Sequence, residues 1–147
     1  MKKYIKILGV AIIIGGILAY FFYSDIKEEV EAISKKEEVI EVFQAGVYKD
    51  YNNAKTFAGT LESSYIYKDE DYYRVIMAVC HHQEVKLKLE IFYNENGINY
   101  YVKEMRVNKK LIEEITNYEN ILLKSEKSEV INNINNTILN IFSSYIN

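Results

Sequence analysis

Few residues in this chain are spaced for catalysis. The only two histidines, His81 and His82, are adjacent and directly follow the single cysteine, Cys80. Three consecutive residues cannot all point at one metal ion from a strand, and no Ser-His-Asp or Cys-His arrangement is apparent. Adjacent acidic residues such as Glu113 and Glu114 are typical of solvated helix faces. We therefore expect no enzymatic activity, no metal site and no cofactor.

Aromatic and polar residues that alternate along short stretches indicate non-covalent binding instead. The candidate ligand-binding residues on one strand face are Gln44, Tyr65, Tyr67, Tyr72, Arg74 and Ile76, joined by Tyr101 and Lys103 from the last stretch. Aromatic rings on a sheet offer apolar platforms with a polar edge, on which the C–H face of a sugar can stack. Gln and Arg donate hydrogen bonds to hydroxyls, acetamido carbonyls and carboxylates. The pattern predicts a carbohydrate-binding surface, although packing of some tyrosines beneath other elements is the alternative.

Periodic apolar residues predict the elements that position this surface. In chain order they are a strand over 39–48, a helix over 52–62, strands over 63–68 and 72–79, a helix over 83–94 and a strand over 98–107. With right-handed crossovers, the order β-α-β-β-α-β gives a four-stranded antiparallel sheet with both helices on one face. The predicted fold class is α+β with this ferredoxin-like (RNP-like) arrangement. The other face is left open, and which of Tyr100 and Tyr101 points outward stays undecided.

Two motifs in these elements resemble those of the SPOR (sporulation-related repeat) domain family. The first is Phe43-Gln44-Ala45-Gly46-Val47-Tyr48, followed by Asn53-Ala54 and Leu61; the second is Tyr73-Arg74-Val75, followed by Gln83-Glu84-Val85. The resemblance covers residues 41–107. It implies the fold just described and a groove for peptidoglycan glycan strands stripped of stem peptides, lined by Gln44, Tyr72 and Arg74. Val47 departs from the family, since Ser is common there, and Ala78-Val79-Cys80 replaces the usual Gly-Pro-Phe.

The N-terminal 24 residues have the pattern of a transmembrane anchor. Residues 7–24 are uncharged, and Lys2, Lys3 and Lys6 precede them. As a helix this run spans about 27 Å, close to the bilayer core of about 30 Å, and the lysines place the N-terminus in the cytoplasm. A cleaved signal peptide is the alternative, but the aromatic run at residues 20–23 lacks the small residues of a cleavage site. Residues 25–38 are predicted to form a short helical stalk outside the membrane.

Residues 108–147 follow the SPOR-like domain, which is assigned to residues 39–107, and they carry two apolar stripes at helical spacing. The first stripe is Leu111, Ile115, Tyr118 and Leu122, and the second is Ile131, Ile134, Ile138, Ile141 and Tyr145. They predict two amphipathic helices, or one long helix. Packing against the domain or the stalk is one interpretation. The other is self-association or partner binding through residues 109–147, for example as a coiled coil.

Charge narrows the choice of partner. The formal net charge is −3, and because the first 24 residues hold three lysines and no acid, the remainder carries −6. An acidic body argues against nucleic acid, whose phosphates favour basic surfaces. The resemblance to SPOR domains implies non-catalytic binding of peptidoglycan glycan strands by a membrane-anchored, extracytoplasmic domain, with enrichment at division septa. The alternative is a membrane-tethered structural or assembly protein whose C-terminal helices bind a protein partner.

Overall fold

A computed structural model describes residues 37–146 together with Ala19. The predicted anchor over residues 7–24 and most of the predicted stalk lie outside this part of the chain. Glu37 and Glu38, which we assigned to the end of the stalk, belong to the first strand. Among the described residues, no helix combines the length and apolarity needed to cross a bilayer.

Residues 37–146 form four strands and four helices in the predicted order. In sequence they are β1 (Glu37–Tyr48), α1 (Tyr51–Ala58), β2 (Tyr65–Asp69), β3 (Tyr72–Cys80), α2 (Gln83–Glu95), β4 (Tyr101–Asn108), α3 (Lys109–Lys124) and α4 (Ser128–Ile146). The strands make one sheet in the order β2-β3-β1-β4, and every neighbouring pair is antiparallel. The predicted α+β class and its four-stranded antiparallel sheet are confirmed.

Local side-chain chemistry explains where several elements begin and end. The carboxylate of Asp50 accepts a hydrogen bond of 3.0 Å from the Asn53 amide and caps α1. Asn108 caps α3 in the same way, through a 2.9 Å bond from the Lys110 amide. The chain leaves α2 at Gly97, whose φ of 65° suits a residue without a Cβ.

Helices α1 and α2 pack on the same face of the sheet. Gln44 and Arg74 share one face, because their side chains are hydrogen-bonded to each other. Their chain neighbours Phe43 and Val75 therefore point to the opposite face. Val75 packs against buried alanines of α1, and the ring of Phe43 lies 5.7 Å from that of Tyr93 in α2. The face that carries Gln44 and Arg74 is the one we expected to be open.

The C-terminal residues form two helices that belong to the core of the sheet domain. Helix α3 contacts β1 and β4, α4 contacts β3 and β2, and the two helices pack against each other. Five residues of their apolar stripes are buried, and the other four are partly buried against the core; the buried five are Leu111, Ile115, Leu122, Ile131 and Ile138. Leu139 and Phe142, beside the second stripe, are buried as well. The prediction that these helices pack against the domain is confirmed, so most of the positions proposed for a coiled-coil seam are occupied within this chain.

The register between β1 and β3 is irregular at the centre of the sheet. It shifts on either side of Gln44, so simple alternation along β1 is interrupted. Val47 pairs with Arg74, whereas uninterrupted alternation puts Val47 on the face opposite Gln44. Gly46 lies within the irregular stretch, and a glycine inside a strand often marks such a bulge.

Candidate functional site

A polar cluster centred on Arg74 occupies the sheet face opposite α1 and α2. The Arg74 Nη1 donates to Gln44 Oε1 at 2.9 Å, and its Nε donates to Asp69 Oδ2 at 2.5 Å. The Lys103 Nζ lies 4.0 Å from the same oxygen of Asp69. Four residues from four strands thus meet at one place, and three of them carry charge.

Strand pairing brings these residues together. Arg74 of β3 pairs with Tyr67 of β2 and with Val47 of β1. Gln44 of β1 pairs with Tyr101 of β4, one row further along the sheet. Because paired residues share a face, the cluster is surrounded by aromatic and aliphatic side chains.

The tyrosines around the cluster differ in how far they are exposed. Tyr101 is 65% exposed and Tyr72 is 37% exposed, and the Lys49 Nζ lies 5.9 Å from the centre of the Tyr72 ring. Tyr67 is partly buried, and its pKa is raised, first by burial and then by the negative charge of Asp69. The hydroxyl of Tyr67 therefore stays protonated at neutral pH and can donate a hydrogen bond.

Two of the predicted ligand-binding residues are covered instead. Ile76 is fully buried, so the prediction that it lies on the open surface is wrong. The ring of Tyr65, which pairs with Ile76, lies 6.0 Å from that of Phe142 in α4 at an interplanar angle of 88°. Helix α4 therefore covers part of the face that sequence alternation left open. The accessible part carries Gln44, Tyr67, Tyr72, Arg74, Tyr101 and Lys103.

The structure also settles which of Tyr100 and Tyr101 points outward. The ring of Tyr100 packs 5.3 Å from Phe43 and 5.9 Å from Tyr93, on the side of α2. Tyr101 is exposed and pairs with Gln44, as the proposed surface requires.

Asp69 and Val47 belong to this surface but were not among the predicted site residues. Asp69 has the same parity as Tyr65 and Tyr67 along β2, a signal that places it on the same face. It was assigned to the turn that follows. Val47 is 42% exposed beside Arg74, and only the irregular register puts it there.

The Cys80-His81-His82 sequence has a structural role at the end of β3. Cys80 is buried, and burial, followed by the charge of Glu119, raises the pKa of its thiol far above the usual range. The Nδ1 of His81 lies 3.1 Å from the carbonyl oxygen of Val39. Within residues 37–146, no group of three histidine, cysteine or acidic side chains is placed to hold a metal ion.

Glu119 of α3 joins that helix to the start of α2. Its carboxylate is fully buried and accepts hydrogen bonds from the backbone amides of His81 at 2.6 Å and His82 at 3.3 Å. The His82 Nδ1 lies 2.6 Å from its other oxygen. His82 is the N-cap residue of α2 and makes no side-chain cap of its own, so Glu119 joins α3 to the two residues that precede α2.

Comparisons with known proteins show a weak likeness to a solved structure. No protein-family model matches the chain, and no curated protein matches it. Among solved structures, the chain is similar to the solution structure of the peptidoglycan binding domain of the B. subtilis cell wall lytic enzyme CwlC. The sequence identity is 18% and the TM-score 0.41, and the match covers 46% of this chain and 91% of that one. A likeness at this level identifies no site residue.

Proposed function

We propose that this protein is a non-catalytic, membrane-anchored binder of peptidoglycan glycan strands, with a SPOR-like domain outside the cytoplasm. The observation that carries the proposal is the accessible cluster of Arg74, Gln44 and Lys103 on the sheet, with exposed Tyr72 and Tyr101 on the same face. The resemblance of the first and third strands to the SPOR motifs supports the same function.

The chemistry of the cluster fits the repeating unit of such a strand. Exposed tyrosine rings can stack on the apolar faces of amino sugars, and their hydroxyls can exchange hydrogen bonds with sugar hydroxyls. The Gln44 amide can bind an acetamido group, and Arg74 and Lys103 can bind the lactyl carboxylate of muramic acid. The resemblance to SPOR domains implies that strands without stem peptides are the preferred ligand.

The anchoring is part of the proposal and has its own expected result. If residues 7–24 span the membrane, the full chain fractionates with membranes and resists extraction by alkaline carbonate. Deletion of residues 1–24 should release it. Extraction of the full chain by carbonate would contradict a spanning anchor. We also propose that the protein gathers at division septa, where stripped glycan strands would be its target.

Replacement of Arg74 by Ala should abolish most of the binding to stripped glycan. We expect co-sedimentation of the detergent-solubilised full chain with amidase-treated sacculi to exceed that with untreated sacculi. In the Arg74→Ala variant the affinity should fall about tenfold or more, because a hydrogen bond to a charged group contributes about 1.5–3 kcal/mol. The supernatant should contain no released sugar fragments, as befits a protein that does not cleave its ligand.

Lys68→Ala is the matched control for that experiment. Lys68 is exposed and pairs with Tyr73, so it lies on the face opposite Arg74. Its replacement removes the same charge and should leave the affinity within a factor of two. Equal retention of the Arg74→Ala variant and the unmodified protein would move the glycan site away from this cluster.

A structural or assembly role is the second candidate. Ile121 of α3 is 51% exposed and Val130 of α4 is 36% exposed, although most of the apolar residues of these helices are buried. In this case the full chain should not co-sediment with either preparation of sacculi. Cross-linking to a membrane or wall protein should instead depend on Ile121 and be lost in Ile121→Ser, while Arg74→Ala has no effect.

A further inference from the structure

We propose that Arg74 and Lys103 form an anion-binding site, which the carboxylate of Asp69 occupies in the free protein. A carboxylate on the bound sugar displaces Asp69 from this site. The inference rests on the proposed function and deepens it. It makes Asp69 the residue that sets how strongly the surface prefers acidic over neutral glycans.

The geometry places one carboxylate oxygen between two cations. Asp69 Oδ2 lies 2.5 Å from the Arg74 Nε and 4.0 Å from the Lys103 Nζ. The two cations come from β3 and β4, which are separated by β1 in the sheet; Arg74 hydrogen-bonds this oxygen, and Lys103 lies at ion-pair distance from it. Two positive groups near one oxygen form an anion-binding site, and the carboxylate of Asp69 occupies it.

This anion-binding site is accessible to solvent. The side chains of Arg74, Asp69 and Lys103 are 21%, 33% and 44% exposed, respectively. Asp69 is the last residue of β2 and is followed by the exposed residue Glu70. Water can therefore solvate the Asp69 carboxylate when it is displaced from Arg74. Gln44 holds the guanidinium from the other side through Nη1, so Arg74 keeps its orientation when Asp69 departs.

The charge balance indicates what class of ligand gains from this arrangement. Arg74 and Lys103 carry two positive charges, and Asp69 offsets one of them. A carboxylate matches the guanidinium geometry and recovers the interaction that Asp69 gives up. A neutral sugar cannot compensate Arg74, so it leaves Asp69 in place and binds through the tyrosines and Gln44. Muramic acid, with its lactyl carboxylate, belongs to the first class, and N-acetylglucosamine to the second.

The test measures the affinity of the full chain in detergent for two soluble probes. One probe is alternating chains of N-acetylglucosamine and N-acetylmuramic acid without stem peptides, and the other is neutral N-acetylglucosamine oligomers of similar length. In Asp69→Asn we expect the affinity for the acidic probe to rise about three- to fivefold, the range of a partly exposed ion pair. The affinity for the neutral probe should stay the same, and the gain should shrink in high salt.

Two further variants make the result specific. Asp71→Asn removes the same charge from the exposed side of the same turn and should not change either affinity. Lys103→Gln should weaken binding of the acidic probe alone. Each variant is checked by circular dichroism and thermal melting, so that a folding defect is not mistaken for a binding effect.

The outcomes separate this inference from the proposed function. An unchanged or lower affinity for the acidic probe in Asp69→Asn, or an equal rise for both probes, would overturn the inference while glycan binding by the unmodified chain stands. If neither the unmodified chain nor Asp69→Asn binds either probe, the proposed function fails, and the inference fails with it.

Discussion

Phe142→Ala should destabilise the protein by about 3–5 kcal/mol, the usual cost of removing a fully buried phenylalanine. The Phe142 ring is inaccessible to solvent and packs edge-on against Tyr65. Its loss leaves a cavity between α4 and the sheet and loosens the cover over Ile76. Because domains of this size unfold with about 5–15 kcal/mol, this single change would remove a large part of the total stability.

Urea unfolding followed by near-ultraviolet circular dichroism measures this effect, since the chain has 14 tyrosines and no tryptophan. Ile121→Ala is the control, because Ile121 lies in the same helical pair but is half-exposed. We expect it to cost less than about 1 kcal/mol. A similarly small loss for Phe142→Ala would mean that the C-terminal helices are an appendage and not part of the core.

Glu119→Ala should cost about 2–4 kcal/mol, the second large effect. It leaves the partly buried backbone amides of His81 and His82 without their acceptor, and a donor that is removed from water and left unsatisfied costs about 1–3 kcal/mol. Glu119→Gln should lose less, because its carbonyl oxygen still accepts a hydrogen bond. The same unfolding measurement applies, and the amides at the start of α2 should also exchange faster with solvent.

Glu113→Ala is the matched control for Glu119. Glu113 lies in the same helix, its side chain is 62% exposed, and it makes an ion pair of 3.5 Å with Lys109. Exposed pairs of this kind contribute about 0–1 kcal/mol. If Glu119→Ala is no more costly than Glu113→Ala, the buried carboxylate does not hold α3 to the start of α2.

The order of the elements was predictable from local signals. Alternation identified the strands, and apolar residues at helical spacing identified the helices. Asp50 and Gly97 are residue types that favour a helix start and a helix end, and they lie at the start of α1 and just after α2. These signals lie within a few residues of each other, so they do not depend on how the rest of the chain packs.

The exact membership of the site depended on long-range structure. Alternation placed Val47 away from Gln44, but the register shift brings it beside Arg74. Alternation also placed Ile76 on the same face of the sheet as Arg74, and this is correct. It could not show that Ile76 is buried there, beneath α4. Which helix covers which part of a sheet is decided by contacts between residues far apart in sequence.

The position of Glu119 in the sequence already indicates that its carboxylate needs buried partners. Glu119 lies four residues after Ile115 and three before Leu122, on the apolar stripe of α3. An acidic residue at such a position must find partners when the helix packs, because burying an unpaired carboxylate is costly. The adjacent pair of histidines after β3 supplies them, which a reading of α3 alone cannot reveal.

The position of β1 has a consequence for how the protein is made. This strand is synthesised first, yet it lies inside the sheet, between β3 and β4. Its partners begin only at Tyr72 and Tyr101, so both of its edges stay unpaired while the intervening chain is produced. Such an apolar strand with free edges is prone to pair with other chains. Both edges of β1 can therefore be paired within the chain only after β4 has been synthesised.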